Sequence, residues 1–255
     1  MKKQRAILTF DLEFWHNSEF IGKYLKPQYL ESQDLLVEES LLPILDILNQ
    51  QNAKATFFVL GKLAERYPQL IKKISDDGHE VACHSYSHKP LWRINSEEFK
   101  KDIEKNSEII QKIIGKMPDG FRAPNLSLRS KTSWALSVLE KCNFTYDSSI
   151  SPFSNYKNDS SIEEIPPSLG GLYFRILPLW IYIFLIKHTS KNKIPVIYLH
   201  PHELHNFVPN VKSVPGIKKM IKYWGIKNSF KKFAKLLEKF EFISISQYLH
   251  ENPSN

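Results

Sequence analysis

Short apolar runs rich in β-branched and aromatic residues alternate with helix-spaced segments along the whole chain. Residues 6–10 (AILTF), 56–60 (TFFVL), 79–83 (HEVAC), 120–123 (GFRA), 143–147 (NFTYD), 195–199 (PVIYL) and 242–245 (FISI) read as strands. Between them lies a helical stretch over 39–50, with Leu41, Leu45 and Leu48 on one stripe. Pro43 fits that stretch only in its first turn, because proline lacks the N–H an interior position needs. A second helix covers 62–77, with a break near Pro68 and Gly78 as its stop. Asn95, followed three residues later by Glu98, makes a capping box that opens a third helix, and Gly115 closes it. Further helices are expected over 130–142, 178–187 (a buried one) and 229–240, and a long loop over 149–168. Strands that alternate with helices need crossover connections, which give a parallel sheet. The expected fold is therefore α/β, a distorted (β/α) barrel of mostly parallel strands, with residues 1–255 forming one domain.

In a parallel barrel the C-terminal ends of the strands gather at one mouth, where loops build the active site. Asp11, His84, Arg122 and His200 each stand just after a predicted strand. His84 and His88 are four residues apart, so on one helical turn both imidazoles face one side and can share a metal ion. Asp11 and Glu13 point to the same side of a strand, so one carboxylate can bind the metal and the other its water. A metal-activated water, a carboxylate base and a histidine acid together make a hydrolytic set, with His200 as the acid. Capping, turn or surface roles for the same residues remain open at this stage.

Composition narrows the setting. Of 255 residues, 42% are hydrophobic, enough to build a large core. The formal charge is +8, from 35 Lys+Arg against 27 Asp+Glu, but the lysines are scattered and point to no nucleic-acid partner. Cys83 and Cys142 are too few and too far apart for a disulfide framework or a cysteine zinc knuckle, and read as small buried side chains. The charged start is followed by too short an apolar run for a signal peptide. The longest apolar stretch, 172–186, is interrupted by Arg175 and Pro178 and is no membrane span. A cytoplasmic location follows as an expectation, with peripheral association at the inner face of the membrane left open.

Several segments in order resemble the polysaccharide deacetylases of carbohydrate esterase family 4, the NodB-type domain. They are LTFDLEFW at 8–15, ATFFVLG at 55–61, GHEVACHSYSH at 78–88, GFRAPNLS at 120–127, YDSSI at 146–150 and IYLHPHE at 197–203. The resemblance implies a NodB-type barrel and a metal-dependent hydrolase that removes N-acetyl groups from a saccharide. It implies Asp11 as general base, oriented by Arg122, and His200 as general acid. It also implies His84 and His88 as ligands of a divalent metal, Zn first with Co or Ni as options, and the backbone N–H of Asn125, after Pro124, as an oxyanion donor. Leu12 stands where the commonest pattern has a second aspartate. This Asp-x-Glu form resembles the branch linked to surface-glycan synthesis and makes Glu13 the third ligand. Asp147 is placed where the family orients its acid histidine, with a structural cap as the alternative. Trp15, Trp180 and His202 are candidates to shape an acetyl pocket or stack on a sugar, against plain packing.

Two other readings stay open: a cyclic amide or ureide hydrolase on the same fold, and a non-catalytic glycan- or membrane-binding protein. Metal content and acetate release separate them.

Overall fold

β1 (Gln4–Leu12) is buried from residue 6 to residue 12, which explains why its sequence is a continuous apolar run with no alternation: both faces are covered. In the computed structural model, which describes residues 3–17, 22–25, 35–189, 194–206 and 213–253, this strand is the hub of the sheet. The first two residues of the charged start lie outside the described residues. β1 pairs in parallel with β2 (Thr56–Val59) along one edge. Its other edge is shared by β8 (Val196–Leu199), against residues 7–10, and β9 (Phe240–Ile243), against residues 4–7.

Outward from β2 the sheet continues through β3 (Glu80–Cys83), β4 (Gly120–Phe121), β5 (Tyr146–Asp147) and β6 (Glu163–Glu164), all parallel. On the far side β7 (Leu169–Gly170) pairs with β8. Among the described residues β6 and β7 do not pair, so the sheet curls into a partly open barrel. This is the α/β parallel fold the alternation predicts.

Helices α1 (Leu35–Gln50), α2 (Gly61–Arg66) and α3 (Pro68–Asp76) pack against this sheet. α4 (Ser96–Ile114) opens with the expected capping box, in which Asn95 accepts from the N–H groups of Glu97 and Glu98, and ends at a left-handed Gly115 (φ 80°). α5 (Trp134–Lys141) follows. α6 (Gly171–Ile176), α7 (Leu179–Thr189), α8 (Gly216–Tyr223), α9 (Ser229–Leu237) and α10 (Ile245–Glu251) complete the shell.

Three expectations are corrected. Pro43 is not in a first turn: it is the ninth residue of α1. The carbonyl it leaves without its helical partner belongs to Glu39, four residues back on the exposed side of the helix. The loop 149–168 contains β6, a two-residue edge strand too short to show periodicity. The 178–187 helix is only half buried. Tyr182 and Ile186 are fully covered, but Trp180 is 73% and Phe184 62% exposed. An all-apolar helix gives no pattern from which to tell its inner face. The helix α8, short and lysine-rich, had no counterpart in the sequence reading.

Candidate active site

Asp11 is the penultimate residue of β1, and its carboxylate is held from across the sheet. Arg122, just past β4 and wholly buried, donates from Nη1 to Asp11 Oδ1 at 2.7 Å and to Thr9 Oγ1 at 2.9 Å. Its remaining donors go to Ser148, from Nε to the carbonyl at 3.1 Å and from Nη2 to Oγ at 2.8 Å. The guanidinium also lies 4.1 Å from the ring centre of Phe58. A buried arginine needs its donors satisfied: one here binds the Asp11 carboxylate, and the bonds to Thr9 and Ser148 hold the guanidinium in place to do so. Ser148 comes from the YDSSI segment, whose aspartate alone drew notice in the sequence.

Glu13, His84 and His88 offer ligand atoms that all lie within 4.8 Å of one another. His84 Nδ1 donates to the carbonyl of Arg122 at 2.8 Å, which fixes the tautomer and leaves the Nε2 lone pair facing the cavity. Burial lowers the His84 pKa, opposed by Asp11, whose Oδ2 is 3.9 Å from Nε2. Glu13 Oε2 lies against His88 Nε2, and Oε1 is 3.4 Å from His200 Nε2. Burial opposes the charged form of Glu13, but the three imidazoles outweigh it and hold its carboxyl well below the usual range.

The two histidines do not meet on a helical turn, as their spacing suggested. Residues 84–88 form a loop in which Ser85 (φ 62°) and His88 (φ 59°) are left-handed. α4 holds this strained loop in place. Asp102 accepts from the N–H groups of Tyr86 at 2.7 Å and Ser87 at 3.1 Å, and Asn106 donates to the Ser85 and Val59 carbonyls at 2.8 and 2.9 Å.

His200 follows β8 and faces Glu13 from the opposite wall. Glu203 Oε2 accepts from the backbone N–H of His200 at 3.0 Å and lies 3.1 Å from Nδ1. Burial works against protonation of His200, but the hydrogen bond and charge of Glu203 raise its pKa. Glu203 is itself gripped by Arg175 of α6, Nε to Oε1 at 3.2 Å. A methyl group on Gly171 would fall 1.8 Å from Glu203 Oε2, so only glycine lets the carboxylate reach its place.

Glu203, Arg175 and Lys222 were not singled out in the sequence. Only the His-x-x-Glu spacing at 200–203 carried a signal, because Arg175 and Lys222 arrive from distant helices. Lys222 Nζ is 3.0 Å from His202 Nε2, and burial pushes the pKa of both below their ordinary values.

These groups line one cavity of about 230 Å³, bounded also by Asn125, Leu126, Leu172 and Tyr198. Asn125 adopts a left-handed backbone (φ 60°), which asparagine tolerates better than most residues, directly after the buried Pro124. Three candidates stand elsewhere. Trp15 is 4% exposed in a small cluster with Leu36 and Val214. Asp147 does not touch His200: its carboxylate accepts from Ser149 N–H at 2.9 Å and Ser149 Oγ at 2.5 Å and is hydrogen-bonded to Glu164. The carboxylate against His200 Nδ1 is that of Glu203. Trp180 lies on the outside of α7 and does not line the cavity.

The conjunction of a carboxylate clamped by arginine, a Glu-His-His cluster and an opposing histidine is accompanied by a match to the Polysaccharide deacetylase family over residues 1–146. The chain belongs to that family. Residues 145–250 match a domain of unknown function, DUF3473, and this segment supplies β8, β9 and His200 to the sheet and site. A peptidoglycan-N-acetylglucosamine deacetylase of Bacillus cereus is 37% identical over 118 residues, covering 46% of this chain and 43% of that protein. The chain thus spans less than half the length of this relative. Among solved structures, peptidoglycan deacetylase PdaC of Bacillus subtilis superposes with a TM-score of 0.57 at 20% identity, covering 98% of this chain and 91% of that one. A family pseudoenzyme of Bacillus anthracis, BA3943, superposes equally well (TM-score 0.57, 16% identity, 97% and 66% covered). Fold likeness alone therefore carries no activity, and the side chains must.

Proposed function

We propose that this protein is a divalent-metal-dependent hydrolase that removes N-acetyl groups from a saccharide. The observation that carries the reading is the convergence of Glu13, His84 and His88 within 4.8 Å, flanked by Asp11 on one side and His200 on the other. The residues suit a zinc-like cation. Glu13 Oε2 and His88 Nε2 lie against each other with the buried His84 imidazole beside them, a convergence of donor atoms that a shared cation satisfies. Two imidazoles and one carboxylate are the donor set of many catalytic sites with an open position. Zn is the first choice, with Co or Ni as alternatives. When bound, such an ion acidifies water and polarises a carbonyl.

The chain's own groups then divide the work. Asp11 accepts a proton from the attacking water, and Arg122 keeps its Oδ1 in place while Oδ2 faces the cavity. The Asn125 backbone N–H donates to the carbonyl oxygen as negative charge develops on it. His200 gives its Nε2 proton to the departing amine, and Glu203 keeps that proton available by raising the imidazole pKa. One water and one amide become acetate and a free amine. A cavity of about 230 Å³ is below the roughly 300–1,000 Å³ that encloses a drug-sized ligand, so it takes the acetamido end of a larger saccharide.

The test is acetate release from a panel of N-acetylated sugars, nucleotide sugars and ureides, with and without chelator, alongside metal analysis. Chelator should abolish release, Asp11→Asn should lower it by roughly 10²–10⁴-fold with metal retained, and His84→Ala should lose both. Full activity in Asp11→Asn, or in metal-free protein, would sink the reading.

A further inference from the structure

Among the described residues ten large apolar side chains are exposed, and seven of them stand on three helices: α6, α7 and α8 with its C-terminal Trp224. Trp180 and Phe184 are one turn apart on α7, 73% and 62% exposed. Ile217 and Trp224 lie two turns apart along α8, 62% and 57% exposed. The three helices are tied together. Phe174 packs on Tyr182 with ring centres 5.2 Å apart, and Arg175 donates to the carbonyls of Lys222 and Trp224 at 2.9 and 2.7 Å. Leu172 and Lys222 also line the catalytic cavity, so this apolar surface adjoins the mouth. Solitary exposed apolar residues need no explanation, but a concentration of this kind marks an interaction surface.

Charge identifies the partner. Residues 165–237 contain twelve Lys or Arg and a single acid, Glu203, which is buried against Arg175. The rest of the chain has 23 basic and 26 acidic residues, so the whole +8 excess resides in this segment. Lys187, Lys227, Lys231 and Lys235 are exposed on it. A second copy of the same face would bring like charges together. An anionic bilayer satisfies both features, with aromatic and aliphatic side chains below the headgroups and ammonium groups at the phosphates. No helix among the described residues is long and apolar enough to cross a membrane, so the contact is superficial.

We propose that the outer face of α6, α7 and α8 docks on an anionic lipid bilayer and sets the cavity mouth at the rim of the contact. The assignment rests on the deacetylase reading only for what the mouth does; the docking is measured without it. The full chain is mixed with vesicles of phosphatidylcholine alone or with phosphatidylglycerol added, and bound protein is measured by sedimentation. Partitioning should be at least roughly tenfold stronger with phosphatidylglycerol and fall as salt rises. The pair Trp180→Ser and Trp224→Ser should reduce it by roughly tenfold or more. Trp92→Ser, at another exposed tryptophan remote from these helices in sequence, should leave it unchanged. Matching thermal melts show that the variants fold. Absence of vesicle binding, or binding indifferent to Trp180 and Trp224, overturns the proposal. So does a dimer, seen by sedimentation velocity without lipid, that the double substitution dissolves while vesicles bind nothing. Acetate release is scored separately, so failure of docking and failure of the hydrolase reading are distinguishable.

Discussion

At the scale of single residues, the candidate site is a set of carboxylates each held by a cation: Asp11 by Arg122, Glu203 by Arg175 and His200. Their cost of burial is met only while the pairs are intact. Glu203 is the most exposed to test. Burial opposes its charge, yet His200 and Arg175 hold its carboxyl well below the usual carboxylate range. A folded-state pKa below the unfolded value gives stability that is fully present above the unfolded value near 4.3 and is lost progressively as pH falls from there toward the lower folded value. Glu203→Gln should therefore lower stability at pH 7 by about 3 kcal/mol and flatten the decline in Tm below about pH 5, read by thermal melts across pH. Gly171→Ala forces the same carboxylate aside by sterics alone. It should cut kcat, while Gly216→Ala, where a methyl group meets nothing within 4 Å, should not.

At the scale of elements, the chemistry depends on how loops after strands are pinned. Residues 84–88 carry two left-handed backbones, and α4 offsets that strain through Asp102 and Asn106. The spacing His-x-x-x-His thus predicts the right pair by the wrong geometry: a tight loop and a helical turn both bring residues i and i+4 together. α1 shows the reverse case. Its leucine stripe is periodic enough to override an interior proline, because packing of one face outweighs a single missing hydrogen bond on the other. Pro43→Ala restores that bond at an exposed position and should raise stability by about 1–3 kcal/mol in denaturant titration.

At the scale of the whole molecule, the two matched segments meet in one sheet. β1 comes from the first, while β8 and β9, from the second, cover its other edge. Residues 1–146 expressed alone would leave that edge open and lack His200. They should give no cooperative transition, whereas the full chain should unfold with coincident fluorescence and circular dichroism curves. Two independent transitions in the full chain would contradict this.

The alternation of apolar runs and helical stripes was enough to specify the parallel α/β class, since side-chain periodicity is a local property that survives in one dimension. It was enough, too, to gather Asp11, His84, Arg122 and His200 at one end of the sheet, because parallel strands end together, and Glu13 and His88 come with them as near neighbours in the chain. What folding alone decided is every partner that arrives from far along the chain: Ser148 on Arg122, Arg175 on Glu203, Lys222 beside His202, and the outward turn of Trp180. Such contacts join residues up to tens of positions apart through the curvature of the sheet, and no local pattern encodes that distance.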